Sequence, residues 1–172
     1  MAKKNYYDAI AAGYEELHRD EQEKKILLVK KYLKVKKTDL LLDVGCGTGI
    51  TSNFPCDVVG LDSSAELLKR FSAPLAKSVK TVCALAEKMP LENESFDVVV
   101  SITALQNFDN PEQGLKEMCR VGKKNARYAV SFLKKSPKKE KLAALIEKYF
   151  TVTKEIEEEK DALFFCRRKG KI

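Results

Sequence analysis

An apolar run that ends in three alternate glycines constrains this sequence more than any other feature. Residues 40–44 read Leu-Leu-Leu-Asp-Val, and Gly45, Gly47 and Gly49 follow directly. A short apolar run of this kind is typical of a strand buried in a parallel sheet. Because glycine has no side chain to hold a ligand away, the three glycines predict a loop whose backbone N–H groups contact a bound molecule.

Two common nucleotide-binding loops do not fit this segment. The dinucleotide fingerprint needs a glycine at the position of Ile50, and a P-loop needs a Gly-Lys-Ser/Thr sequence that does not follow here. Asp43 also argues against a nucleotide pyrophosphate, because a carboxylate at the strand end would repel it. The segment instead favours a ligand that carries a cation.

Strand and helix patterns alternate along the chain. Residues 21–33 place apolar side chains at helical spacing, and Ser63 or Ser64 and later Asn110 are natural helix caps. The predicted strands cover residues 40–44, 57–61, 80–84, 96–101 and 128–132, and the later helices cover residues 64–70, 111–121 and 138–149. Residues 151–157 and 162–168 flank an acidic turn and are predicted to pair antiparallel at a sheet edge.

This alternation predicts one α/β domain over residues 1–172. Its fold class is a Rossmann-like, open, seven-stranded and mostly parallel sheet, with an antiparallel C-terminal edge strand and helices on both faces. In such a sheet, ligands bind at the carboxyl ends of the strands.

Composition narrows the class of protein further. The 172 residues suit a single compact domain, and the apolar runs are far shorter than the roughly 20 residues of a membrane-spanning helix. The first residues have no apolar segment typical of a secretory signal, so a cytoplasmic protein without membrane contact is expected. The five cysteines form no Cys-x-x-Cys pair and no cluster has ligand spacing, so no disulfide framework and no metal site are expected.

The charge balance is basic, with 32 Lys and Arg against 25 Asp and Glu and a net charge of +7. This charge favours an anionic partner such as RNA, although a heat-adapted surface rich in ion pairs has a similar composition. Three stretches carry half of the basic residues: residues 24–37, 134–141 and 167–171. The second follows the predicted fifth strand, near the edge where substrates enter such a sheet, and the alternative is that all three are solvated surfaces.

Four motifs in order resemble one family. Residues 41–49 (LLDVGCGTG) closely resemble the first motif of class I S-adenosylmethionine-dependent methyltransferases, and residues 58–64 (VVGLDSS) resemble the second. Residues 86–91 (AEKMPL) and 95–101 (SFDVVVS) resemble a stretch of the ubiquinone-biosynthesis-type branch. Residues 7–14 (YDAIAAGY) are similar to the helix that covers the cofactor in that branch, which implies cofactor-covering helices over residues 1–37 and a Rossmann-like core over residues 38–172.

The resemblance implies that S-adenosylmethionine is the cofactor and S-adenosylhomocysteine the product. Asp62 is then the acid that binds the ribose hydroxyls, and Asp43 can attract the cationic end of the cofactor. The alternatives are an acid that caps a turn for Asp43 and a helix N-cap for Asp62. The other predicted cofactor-binding residues are Tyr6, Tyr14, Gly45, Cys46, Gly47, Gly49, Leu61, Ser63, Leu85, Ala86 and Ser101.

Two departures from the family pattern affect the cofactor pocket. In that branch an acid usually precedes the Ala-Glu pair and accepts a hydrogen bond from the adenine amino group, but Leu85 stands there. Adenine must then depend on backbone groups near Ala86, on apolar cover from Leu61 and Leu85, or on Glu87. Only residues 50–56 separate the last glycine from the second strand, which shortens the usual long helix to about two turns.

Methyl transfer depends mainly on positioning and on removal of water, so the candidate catalytic residues are those predicted to face the methyl group. Asn107 and Phe108, just after the fourth strand, offer an amide acceptor and a stacking ring for a flipped base amine, or else a turn cap and a core ring. Tyr6 and Tyr14 can cover the cofactor, with ordinary packing as the alternative. His18 is the only histidine and can act as a general base or be an inert surface imidazole.

The sequence therefore predicts a methyltransferase and leaves its acceptor open. An RNA base is the first hypothesis, since a small domain with a basic surface suits a large anionic substrate. A small-molecule methyltransferase of the ubiquinone/menaquinone-biosynthesis type is the alternative, followed by protein methylation and a non-catalytic cofactor-binding subunit. The sequence identifies no activating partner.

Overall fold

The computed structural model describes the backbone of residues 14–170 and the side chains of residues 19–170. Seven strands form one sheet in the order β3-β2-β1-β4-β5-β7-β6. The strands are β1 Leu40–Val44, β2 Asp57–Asp62, β3 Ser78–Cys83, β4 Phe96–Ser101, β5 Gly122–Leu133, β6 Phe150–Glu157 and β7 Asp161–Arg168. The helices are α1 Tyr14–Leu33, α2 Ala65–Leu68, α3 Pro111–Val121 and α4 Lys139–Tyr149.

The predicted fold class is confirmed. Strands β1 to β5 pair in parallel, and β7 pairs antiparallel with both β5 and β6. The reversed C-terminal strand therefore lies one position inside the sheet, and β6 forms the outermost edge. With β5 and β6 on either side, β7 is buried along almost its whole length.

Alternation along the central strands divides the core between the two faces of the sheet. Leu42 and Val99 face a cluster that includes Leu115 of α3 and Ile146 of α4. On the other face, Leu41, Val98 and Val100 pack with Ile26, Val29 and Leu33 of α1. Successive strand residues point to opposite faces, so each central strand must be apolar on both sides, which is why β1 and β4 read as continuous apolar runs.

Helix α1 begins at Tyr14 rather than at residue 21, and β3 covers residues 78–83 rather than 80–84. Three further elements differ from the sequence prediction. Helix α2 is a single turn capped by Ser64, whose Oγ accepts from the Leu67 N–H at 3.2 Å. It ends early because 3₁₀-type bonds carry the chain on to Phe71, which packs against Gly49 and Gly60. Residues 50–52 form one 3₁₀ turn in place of two helical turns. Strand β5 begins at Gly122, which pairs with Phe96 ahead of a bulge, so its exposed residues 123–125 showed no strand pattern.

Candidate active site

The carboxyl ends of β1, β2 and β4 meet at one edge of the sheet and open into a cleft of about 920 Å³, including the solvent at its mouth. Its wall combines glycine backbone, apolar side chains and a few polar groups, a typical lining for a small-molecule site. The lining residues are Gly45, Gly47, Leu61, Asp62, Ser63, Ser64, Leu67, Ala84, Leu85, Ala86, Glu87, Ile102, Thr103, Ala104, Asn107, Phe108 and Asp109.

The glycine loop lies against the end of β2. Gly45 and Gly47 have φ values of 78° and 53°, in the left-handed region that glycine adopts without strain. The Gly45 N–H donates to the Leu61 carbonyl at 2.7 Å. A Cβ atom on Gly45 would stand 2.6 Å from the Cβ of Ala104, so a larger residue would push the post-β4 segment away. These contacts bring the glycine backbone to the cleft surface, as the sequence predicts.

Gly49 and Cys46 lie behind the wall of the cleft. Gly49 has a φ of 91°, and a Cβ atom there would stand 2.7 Å from the Ser72 carbonyl oxygen. The Cys46 side chain is buried against Gly60, and burial raises the pKa of its thiol well above the usual value. Neither residue lines the cleft, so the structure gives both a packing role within the loop.

Asp43 is fully buried beneath the glycine loop. Its Oδ2 accepts hydrogen bonds from Thr51 Oγ1 at 2.6 Å and Ser52 Oγ at 2.7 Å. Its other carboxylate oxygen, Oδ1, accepts no hydrogen bond from the described residues. Burial raises the pKa of this carboxyl to about 6, against the opposing effect of the two hydroxyl bonds. Asp43 does not line the cleft, so direct contact with a cationic ligand end is replaced by support of the loop from below.

Ser101 is also buried rather than exposed to the cleft. Its Oγ donates to the Val44 carbonyl at 2.9 Å, and the side chain is fully enclosed. This hydrogen bond joins the ends of β1 and β4. Ser101 therefore fixes the register of the two strand ends that carry the loops of the site.

Asp62 lies in the wall of the cleft at the end of β2. Its Oδ2 accepts from the Gly47 N–H and its Oδ1 from the Ser64 N–H, both at 2.8 Å. A carboxylate oxygen accepts more than one hydrogen bond, so both oxygens can also bind ligand hydroxyls at the cleft surface. Ser63 and Leu61 line the cleft beside it. This arrangement fits the ribose role that the resemblance implies for Asp62.

Replacing Asp62 with Ala should weaken binding of S-adenosylhomocysteine by about 1–3 kcal/mol, because the charge-assisted hydrogen bonds to the ribose are removed. Titration calorimetry at constant ionic strength measures this change. Asp57→Ala, at the opposite end of the same strand, is the matched control and should leave the affinity unchanged. Equal affinities for the parent and the Asp62→Ala protein would contradict the ribose assignment.

The segment after β4 provides the candidate acceptor side. Asn107 lines the cleft, and its side-chain amide makes no hydrogen bond with the described residues. Phe108 is only 9% exposed and its ring packs against Gly114, where a Cβ atom would lie 2.6 Å from the ring. Sequence analysis left a stacking ring and a core ring as alternatives for Phe108, and the structure shows a core ring that also lines the cleft.

A buried polar network that the sequence analysis did not predict holds this segment in place. Lys25 of α1 is 1% exposed, and its Nζ donates to Asp161 Oδ1, Thr103 Oγ1 and Glu21 Oε1, each at 2.9 Å. Asp161 Oδ2 accepts from Thr103 Oγ1 at 2.7 Å and Ser131 Oγ at 2.8 Å. Thr103 has a φ of 55°, which is costly for a β-branched residue. One sequence signal was present, because Lys25 shares a helix face with apolar residues of α1.

Three predicted residues lie beyond the described side chains. Tyr6 lies outside the described residues altogether. The backbones of Tyr14 and His18 belong to α1, but their side chains are not described. Their roles in covering the cofactor or in acid-base chemistry stay predictions.

The described residues offer neither a metal-ligand cluster nor a membrane span. No group of three or more His, Cys, Asp or Glu side chains within the described part of the chain is arranged to hold a metal ion. None of the described helices is long and apolar enough to cross a membrane.

Comparison with known proteins identifies the family. The model of the methyltransferase domain Methyltransf_11 matches residues 42–130. The uncharacterised protein MJ1252 of Methanocaldococcus jannaschii is 36% identical over 124 residues, which cover 70% of this chain and 47% of the relative. The ubiquinone/menaquinone biosynthesis C-methyltransferase UbiE of Geotalea uraniireducens is 30% identical over 162 residues, which cover 84% of this chain and 68% of the relative. In several other curated relatives the matched region spans less than half of the relative's length.

Solved structures share the fold. The putative methyltransferase of Haloferax volcanii, in complex with the methyltransferase activator Trm112, superposes with a TM-score of 0.76 at 15% identity and covers 95% of this chain and 98% of that one. The residues matched by the family model include the glycine loop and Asp62 at the end of β2. The chain belongs to the Methyltransf_11 family of S-adenosylmethionine-dependent methyltransferase domains.

Proposed function

We propose that this protein transfers the methyl group of S-adenosylmethionine to a base of RNA. The observation that carries the proposal is the position of Asn107, whose amide lines the cleft at the same sheet edge from which the lysine-rich loop of residues 134–138 leaves β5. An amide acceptor can hold a base amine, and lysines near it can contact the phosphate backbone.

The cleft has the groups that the cofactor needs. Asp62 offers acceptors to ribose hydroxyls, and Leu61, Leu85 and Ala86 offer apolar contact to a flat base. The cofactor supplies, when bound, an electrophilic methyl group on a positively charged sulfur. The protein's part is to bind and orient the two reactants and to exclude water. In this proposal Asn107, which lines the cleft, orients the acceptor amine.

Short connections at this edge support a large acceptor. Residues 102–110 join β4 to α3, residues 134–138 join β5 to α4, and residues 158–160 join β6 to β7. None of these described connections folds over the cleft as a cap. A small molecule is usually enclosed on most sides, whereas RNA brings its own bulk, so the shortness of these three described connections favours the larger acceptor.

Neutralising the basic loop tests the acceptor class. Lys134, Lys135, Lys138 and Lys139 are changed together to Gln, and RNA binding should weaken at every sequence. The salt slope should fall by roughly 0.7–0.9 for each phosphate that the variant no longer neutralises. Binding is measured by fluorescence anisotropy over a salt series. The control changes Lys34, Lys36, Lys37 and Lys124, which are exposed at the opposite edge of the sheet, so that the net charge falls equally.

The two variants separate a local site from a general charge effect. Equal weakening in both would show that net charge alone attracts RNA, and an unchanged salt slope in the first variant would remove the basic loop from the interface. Asn107→Ala should leave RNA binding nearly intact and lower the methylation rate, because the amide acts on the positioned base. S-adenosylhomocysteine affinity should be the same in all variants.

A small-molecule acceptor is the second candidate. The match to the UbiE protein of Geotalea uraniireducens, a ubiquinone/menaquinone biosynthesis C-methyltransferase by name, favours it. Incubation of the protein with labelled S-adenosylmethionine and either total RNA or a lipid extract distinguishes the two. Label in the RNA fraction supports the first proposal, and label confined to the lipid fraction supports the second.

An activating protein partner belongs to the same proposal. Its support is the Haloferax volcanii methyltransferase, which was solved with the activator Trm112 and shares this fold. The labelling experiment is therefore run with the isolated protein and with the protein purified from its own cells with bound proteins retained. Activity confined to the second preparation would support a required partner.

A further inference from the structure

Three carboxylates line the cleft, and they differ in their partners. Asp62 accepts from the N–H groups of Gly47 and Ser64, and Glu87 Oε1 accepts from the Asn110 N–H at 3.0 Å. Asp109 is exposed and makes no hydrogen bond or ion pair with the described residues. Asp109 is thus the cleft carboxylate that the fold itself does not use.

The position of Asp109 is set by its neighbours on both sides. Phe108, directly before it, is packed into the core beside Gly114. Asn110, directly after it, caps α3 by accepting from the Gln113 N–H at 3.1 Å and donates its own N–H to Glu87. These contacts hold the backbone of Asp109 at the end of the cleft formed by residues 85–87.

The other carboxylate at that end of the cleft, Glu87, already accepts a hydrogen bond from the fold. Leu85 is 53% exposed and apolar, and the Glu87 carboxylate is directed to the backbone of Asn110. A base that packs on Leu85 and Ala86 would present its polar edge to groups beyond them. An exocyclic amine at this edge needs an acceptor, and a carboxylate provides a charge-assisted one.

We propose that Asp109 accepts the hydrogen bond of the adenine amine and so selects an adenine cofactor. Asp109 would then take over the role of the acid that the family branch usually has at the position of Leu85. The inference rests on the proposed use of S-adenosylmethionine. The base would then be specified by Asp109 in the segment after β4, because the segment after β3 has Leu85 where an acid is usual. The same bond would tie the cofactor to the segment that carries Asn107.

Calorimetry with two product analogues tests the assignment. S-adenosylhomocysteine has an amine on its base, and S-inosylhomocysteine has a carbonyl oxygen at the same place, which a carboxylate repels. The parent protein should prefer the adenine compound by about tenfold or more, since a site built around a hydrogen bond rejects the analogue that cannot form it. Asp109→Asn should lose or invert this preference, because an amide can donate to the carbonyl, and Asp109→Ala should abolish it.

Matched measurements separate this role from others. Glu92→Gln removes an exposed carboxylate outside the cleft and should retain the parental preference. An unchanged preference in Asp109→Asn overturns the assignment. The assignment is also overturned if the Asp109 variants bind S-adenosylmethionine more weakly but bind S-adenosylhomocysteine as the parent does, since Asp109 would then act on the sulfonium charge. Failure of the parent to bind S-adenosylhomocysteine refutes the proposed function itself, which no result on Asp109 alone can do.

Discussion

Asp161→Asn should lower the free energy of unfolding by about 3–5 kcal/mol, the cost typical of breaking a buried ion pair from one side. Asp161 is fully buried and accepts from Lys25, Thr103 and Ser131. An amide at this place keeps one acceptor oxygen and puts an N–H₂ group against groups that donate. Of its two carboxylate partners, Lys25 then keeps only Glu21, which is partly exposed. Denaturant unfolding followed by circular dichroism measures the destabilisation.

The same network determines where α1 lies on the sheet. Lys25→Met should also destabilise the protein, and the double variant Lys25→Met/Asp161→Asn should be destabilised by less than the sum of the two single effects, because each single change leaves a polar group uncompensated. Glu66→Gln removes half of the exposed Lys69–Glu66 pair and serves as the control with little effect. Effects as small as that of Glu66→Gln in both single variants would show that the network does not stabilise the fold.

Asp43→Asn should change the pH dependence of stability. The pKa of Asp43 rises from an ordinary value of 3.8 to about 6 on folding, chiefly because burial disfavours the charged form. The folded protein therefore binds a proton more tightly than the unfolded chain. This contribution is present below the ordinary pKa and is lost as the pH rises through about 6. From about pH 4 to pH 7 the parent should lose about 2 kcal/mol that the variant does not lose.

The comparison is made by denaturant unfolding of parent and variant at each pH, so that the titration of all other groups cancels. The two proteins should be similar near pH 4, and the variant should gain relative to the parent up to pH 7. A variant that instead falls below the parent as the pH rises would show that ionised Asp43 stabilises the fold. A ratio of S-adenosylmethionine to S-adenosylhomocysteine affinity that rises over the same pH range would show that the buried charge still attracts the sulfonium through the loop.

Several features of the site could be predicted from the sequence, because each depends on residues within one short segment. Gly45 and Gly47 reach the cleft through a left-handed backbone conformation that glycine itself permits. Asp62 directly follows an apolar run, and this run predicts the strand that Asp62 ends. Asn110 caps α3 at the predicted position, since its side chain bonds only three residues ahead. The strand bounds of β1 and β4 were equally local, because burial on both faces leaves a continuous apolar run.

Other parts depend on residues far apart in the chain, and sequence patterns do not report them. Phe108 is buried because its ring packs where Gly114 has no side chain. Asp43 is bound by Thr51 and Ser52, which lie in a turn that is shorter than the predicted helix. Lys25 and Asp161 form their ion pair across 136 residues of sequence. Because residues 24–37 contain many lysines, their pattern does not show that Lys25 is the buried one.

By itself, the sequence determined the order of strands and helices, the glycine loop and the acid at the end of β2, because residue type and spacing set them through local backbone and burial preferences. Only the tertiary structure decided that Asp43 supports the loop, that Lys25 and Asp161 hold the post-β4 segment, and that Asp109 lines the cleft without a side-chain partner among the described residues. The physical reason is that hydrogen bonding and desolvation depend on which distant groups share a buried volume, and that sharing is fixed when the sheet and helices pack together.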